Sequence, residues 1–101
     1  MSEKFPKKLL VIITEAALEK PLTELARRAG AHGHTVHDVR GAGQYGEREG
    51  SWEADRSIEL KIVCSEAVAN QIASEAMTRF AANFGLTMFF ADVEVLRPNK
   101  Y

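Results

Sequence analysis

The sequence predicts an α+β domain: a four-stranded antiparallel sheet with two helices on one face, in the order β-α-β-β-α-β. Three observations carry this. Apolar residues recur at helical spacing in two stretches, one beginning near Leu18 and one after Ser65. Runs with strand patterning stand before, between and after those stretches, two of them in the middle. Two right-handed crossovers in this order place both helices on the same side of the sheet.

Leu9-Leu10-Val11-Ile12-Ile13-Thr14 is a nearly continuous apolar run rich in β-branched residues, as a central strand requires. Leu18, Leu22, Leu25, Ala26 and Ala29 then recur at helical spacing, with Glu19, Glu24, Arg27 and Arg28 elsewhere on the wheel. Pro21 suits a first turn, so the helix starts near Leu18 to Lys20. Gly30 suits its C-terminal stop.

His34 to Arg40 reads as the second strand. His32, His34 and His37 crowd its start. Histidine is the commonest metal ligand, yet strand alternation sends His34 and His37 to opposite faces. Solvent-facing or hydrogen-bonded histidines are the simpler reading, and no metal site is assigned.

Residues 41–56 read as a long flexible loop. Gly41-Ala42-Gly43-Gln44-Tyr45-Gly46-Glu47-Arg48-Glu49-Gly50 has four glycines in ten residues, poor material for a helix or a strand interior. Glycine lets a backbone approach an anion and aim its N–H groups at it. Arg48 adds a permanent forked cation suited to phosphate or carboxylate. The segment is therefore a candidate anion or nucleotide site, with a plain flexible connector as the alternative. The spacing Gly41-x-Gly43-x-x-Gly46 matches a dinucleotide fingerprint. That motif must open a helix directly after a strand, and the polar residues 47–56 do not form one. Trp52 stands in the same polar segment. It stacks on a ligand, docks into a partner, or folds back over the core.

Ile58, Leu60, Ile62 and Cys64 alternate with Glu59 and Lys61, a half-buried third strand. Cys64 reads as a small buried hydrophobe. Ser65 offers an N-cap. Val68, Ile72, Ala76, Phe80 and Phe84, supported by Ala69, Ala73 and Met77, predict a helix running to Gly85. Thr87 to Leu96 is the last strand. Phe89, Ala91, Val93 and Val95 share one face, and Met88 and Phe90 the other. The helices cover one sheet face only, so Met88 and Phe90 are expected at an interface with another subunit. Arg97 to Tyr101 reads as a polar end.

Composition bounds the rest. The 101 residues form one domain, 1–101, with 46% apolar and 27% charged residues. A net charge of −1 argues against nucleic acid as a partner. Residues 1–8 do not resemble a signal peptide, no run is long and apolar enough to span a membrane, and Cys64 is alone; a cytoplasmic location is expected.

Taken together, Gly33-His34-Thr35-Val36, Gly41-x-Gly43, the long segment before the third strand, and Phe90-Ala91-Asp92-Val93-Glu94 resemble PII-type signalling proteins, from about Lys8 to Arg97. Val11-Ile-Ile-Thr-Glu15, Gly41-x-Gly43-x-x-x-x-Arg48 and Glu94-Val95-Leu96 resemble the inorganic-carbon-linked branch, associated with bicarbonate transporters or carboxysomes. The resemblance implies a ferredoxin-like fold and a homotrimer with adenine-nucleotide pockets between subunits. It implies that Thr35, Gly41, Gly43 and Arg48 line the pocket from one subunit, and Gly85 and Thr87 from its neighbour. It further implies a non-catalytic regulator that docks on a partner, such as a membrane bicarbonate transporter, through a T-loop at 41–56 containing Tyr45 and Trp52. Phe84-Gly85-Leu86-Thr87 stands where nitrogen-sensing members have a glycine- and lysine-rich loop. AMP or ADP is therefore expected in preference to ATP, with bicarbonate as a second ligand. Tyr45 is not placed like the modified tyrosine of those members, and no cysteine follows Cys64 to form a redox tail. The alternatives are a metal-binding trimer of the same fold, a nucleotide-hydrolysing enzyme, and an amino-acid-binding regulatory domain, the last disfavoured by the length of 41–56.

Overall fold

The apolar run of the first strand lies at the centre of the sheet, as its composition demands. In the computed structural model, which describes residues 3–43, 46–48 and 56–101, strand β1 (Phe5–Glu15) pairs antiparallel with β5 (Ser57–Cys64) on one side and β6 (Leu86–Val95) on the other. Strand β2 (Thr35–Val39) pairs with β5, so the sheet order is β2-β5-β1-β6. Helices α1 (Glu19–Ala29) and α2 (Glu66–Phe80) supply the crossovers, and the result is the ferredoxin-like fold. A separate two-stranded ribbon joins β3 (Gly41–Gly43) to β4 (Gly46–Arg48).

β1 begins earlier than the apolar run suggests, at Phe5. Pro6 is tolerated because pairing with β5 stops at Lys8, leaving one side of the strand without a ladder there. A 3-10 turn at Ala16–Leu18 leads into α1, which ends at Gly30 with φ 111. That left-handed conformation is the reason glycine stands there. Ser65 caps α2, its hydroxyl oxygen accepting from the Val68 N–H at 3.2 Å.

α2 stops at Phe80, before the expected Gly85. The Asn83 and Phe84 N–H groups both donate to the Phe80 carbonyl, at 3.1 and 3.0 Å, and turn the chain out of the helix. Phe84 packs edge-on against Phe80, with ring centroids 6.2 Å apart. Ala69, Ile72 and Ala76 are buried, whereas Met77 is exposed, so the apolar stripe is narrower than the sequence implies.

The core lies between helices and sheet: Leu10, Ile12, Leu60, Ile62 and Cys64 from the strands, and Leu18, Leu22, Leu25, Ala26, Ala69, Ile72 and Ala76 from the helical side. Burial pushes the Cys64 thiol up from its ordinary range. The folded chain therefore holds that proton more tightly than the unfolded chain. The associated stability is complete below the ordinary thiol pKa and declines as pH rises above it. Native protein at pH 8 is expected to react slowly with a thiol-selective disulfide reagent, and denatured protein rapidly. A fast native reaction would show that Cys64 is accessible.

Register corrects the assignment of faces on β6. Met88 pairs with Ile12 and Phe90 with Leu10, both fully buried under the helices, and Met88 packs against the core. The open face carries Phe89, Ala91 and Val93, opposite Val11, Leu9 and Lys7. Met88, Phe89 and Phe90 are consecutive and all apolar, so alternation alone could not decide which faced inward. Phe90 remains 46% exposed because β6 is an edge strand, and Phe89 is 48% exposed on the open face.

Among the described residues no helix is long and apolar enough to cross a membrane.

Candidate functional site

The glycine-rich stretch read as a loop pairs with itself. Gly41 stands opposite Arg48, Ala42 opposite Glu47, and Gly43 opposite Gly46. Three residues per strand are few enough for glycine's weak strand propensity to be overcome. The pairing sets Gly41, at the foot of the ribbon, level with Arg48. Gly41, Gly43 and Arg48 are thus collected on one hairpin, which directly continues β2.

The foot of this excursion is tied to the sheet. The Ala16 N–H donates to the Arg56 carbonyl at 2.8 Å. Arg56 Nε lies 3.3 Å from Asp38 Oδ1 on β2. Tyr45 and Trp52, read as partner-docking residues, lie outside the described residues.

Thr35 begins β2 and is exposed on the open face, level with Lys61, Val11 and Phe89 across the sheet. Gly85 and Thr87 lie at the start of the opposite edge strand, β6. Thr14 holds them in place: its side chain is buried, and its hydroxyl donates to the Gly85 carbonyl at 2.7 Å. The hydroxyl at the end of an apolar strand was a legible signal for this role, though sequence reading did not use it.

Within one chain the two sets do not meet. Three strand spacings separate β2 from β6, about 14 Å. A ligand touching both Thr35 and Thr87 within one chain would have to bridge that distance.

Two features were not legible. On the open face, Glu59 Oε1 lies 3.1 Å from His37 Nε2 and 3.4 Å from Lys61 Nζ. The β2–β5 half of that face is therefore charged, while the β1–β6 half carries Leu9, Val11, Phe89, Ala91 and Val93, with Lys7 at its end. Second, residues 98–101 turn back over the open face. The Lys100 N–H donates to the Arg97 carbonyl and the Tyr101 N–H to the Pro98 carbonyl. This turn brings Lys100 and Tyr101 to a cavity of about 460 Å³ lined also by Leu9, Thr35, Lys61 and Val63. Those four come from three different strands, so only register could assemble them.

His32, His34 and His37 are all exposed, and His37 is engaged with Glu59. Among the described residues no three His, Cys, Asp or Glu side chains are grouped to hold a metal ion.

The family model of nitrogen regulatory protein P-II matches residues 7–100. Among solved structures, a PII-like signalling protein from Thermus thermophilus is 33% identical with a TM-score of 0.85, covering 98% of each chain. CPII, a nitrogen regulatory PII-like protein from Thiomonas intermedia bound to ADP, AMP and bicarbonate, is 30% identical with a TM-score of 0.88, covering 99% of this chain and 97% of that one. A second structure of CPII, bound to ADP and bicarbonate, is 30% identical with a TM-score of 0.86, covering 99% and 98%. No curated protein matches the chain.

Proposed function

Because the chain belongs to the nitrogen regulatory protein P-II family, we propose that it is a non-catalytic regulator that senses an adenine nucleotide, AMP or ADP, together with bicarbonate. In this reading the ligand lies between subunits of a homotrimer. Thr35, Gly41, Gly43 and Arg48 meet it from one subunit, and Gly85 and Thr87 from the next. The observation that carries the reading is the placement of these two sets on opposite sheet edges of a single chain. Each edge then supplies half of a cleft, and closing a ring of subunits completes every cleft.

The related CPII supports the choice of ligands, since its structures hold ADP, AMP and bicarbonate. The short Phe84–Thr87 connection, with no lysine, supports a nucleotide with few phosphates. The apolar half of the open face supports assembly, because Phe89 stays 48% exposed there in the isolated chain. The ribbon supports the signalling role: a nucleotide at its foot would bias the order of 41–56, and that segment would dock on a partner such as a membrane bicarbonate transporter, from the cytoplasmic side.

Calorimetry and thermal shift with AMP, ADP and ATP, each with and without bicarbonate, test the reading. At 100 times its dissociation constant a ligand is expected to stabilise the fold by about 2.7 kcal/mol. AMP or ADP should do so, with a response that bicarbonate changes. No shift with any nucleotide would overturn the proposal.

A further inference from the structure

The cavity under residues 98–101 has the chemistry of a site for a flat heterocycle carrying negative charge. Leu9 and Val63, paired across β1 and β5, form an apolar floor. Thr35 and His34 offer polar groups at one side, and Lys100 brings positive charge together with Lys61, whose ammonium also lies 3.4 Å from Glu59 Oε1. No aspartate or glutamate is among the described residues that line it, and Tyr101 lines it together with the imidazoles of His32 and His34. Its volume of about 460 Å³ suits a small organic ligand.

The route of the chain makes Tyr101 notable. β6 lies at the sheet edge farthest from β2, yet Tyr101 lines the same cavity as Thr35 of β2. The six residues after Val95 can span at most about 20 Å, enough to cross the roughly 10–14 Å of open face between those strands. Nothing in the polar composition of 97–101 requires this crossing. The turn at Pro98–Lys100 directs it.

We infer that Tyr101 is a base-binding residue of the nucleotide site: it forms an aromatic wall against which the adenine base stacks above the Leu9–Val63 floor. This rests on the adenine-nucleotide reading and extends it to residues that reading does not include. Stacking a base on an aromatic ring is favourable for any π-face, so Tyr101 strengthens binding of the base, while the phosphates remain the task of the cations.

The test is calorimetric titration of the full chain with AMP, using the native protein, Tyr101→Phe, Tyr101→Leu and Tyr101→Ala. Melting curves confirm that each variant is folded. AMP is expected to bind Tyr101→Ala and Tyr101→Leu about ten-fold more weakly than native protein, and Tyr101→Phe within about two-fold of it. If native protein binds AMP and Tyr101→Ala binds it equally well, this inference fails and the nucleotide reading survives. If Tyr101→Leu binds as well as Tyr101→Phe, the residue is only an apolar cover and stacking is overturned. If native protein binds neither AMP nor ADP, both readings fall together.

Discussion

Replacing Arg48 with alanine is expected to lower the affinity for ADP by about ten- to a hundred-fold and to leave the proposed trimer assembled. A hydrogen bond to a charged group contributes about 1.5–3 kcal/mol, and a guanidinium offers phosphate two of them in parallel. Register supports the position: Arg48 stands opposite Gly41, at the foot of the ribbon where it leaves β2. A phosphate lying over the Gly41 backbone would therefore lie beside the paired residue, Arg48. Lysine at 48 should recover part of the loss, because it keeps the charge without the fork. Arg48 belongs to the small ribbon and contributes nothing to the four-stranded sheet. Light scattering of the variant should accordingly report the native mass. Calorimetric titration with ADP decides the assignment: an unchanged dissociation constant removes Arg48 from the site.

Leu60→Ala is expected to cost about 2–5 kcal/mol of stability. Leu60 is fully buried on β5, between Val36 of β2 and Ile12 of β1, and faces the helices. Truncation removes apolar surface from the middle of the core and leaves a cavity that two neighbouring strands cannot both close. Total stabilities of about 5–15 kcal/mol are usual for a domain, so the variant should lose a large fraction of its margin. Urea denaturation at one fixed protein concentration measures this, since assembly makes apparent stability depend on concentration. A loss below about 1 kcal/mol would mean that the core re-forms around the alanine.

The elements were legible wherever one physical requirement acted alone. The central position of β1 matches the apolar Leu9–Thr14 run, and burial on one face produced the alternation of Ile58, Leu60, Ile62 and Cys64. Ser65 and Gly30 marked helix ends through local backbone needs, a hydroxyl for an orphan N–H and a left-handed φ. Reading failed where two requirements overlapped. Met88-Phe89-Phe90 are apolar on both faces of the strand, so pattern could not say which face met the helices, and pairing with Leu10 and Ile12 decided it. Phe84 continues the helical spacing of Phe80, yet the helix had already turned. Gly41, Gly43 and Gly46 announced an irregular backbone, and the pairing of 41–43 with 46–48 overrode that weak local preference.

The candidate site divides in the same way. Arg48 and the glycines around it stand out in the chain because their residue types are unusual for a strand or a helix. Thr14, Lys61 and Tyr101 do not, because their part depends on partners far away in sequence: Gly85 for the threonine hydroxyl, Thr35 on the neighbouring strand for the lysine, and the floor of β1 and β5 for the tyrosine. The sequence by itself determined the order of strands and helices and the chemistry of the glycine-rich segment, since periodicity and backbone freedom are properties of neighbouring residues. The tertiary structure alone decided which face of β6 is open, that Thr35 and Thr87 lie on opposite edge strands, and that residues 98–101 return across the sheet, since each depends on the register between strands far apart in the chain.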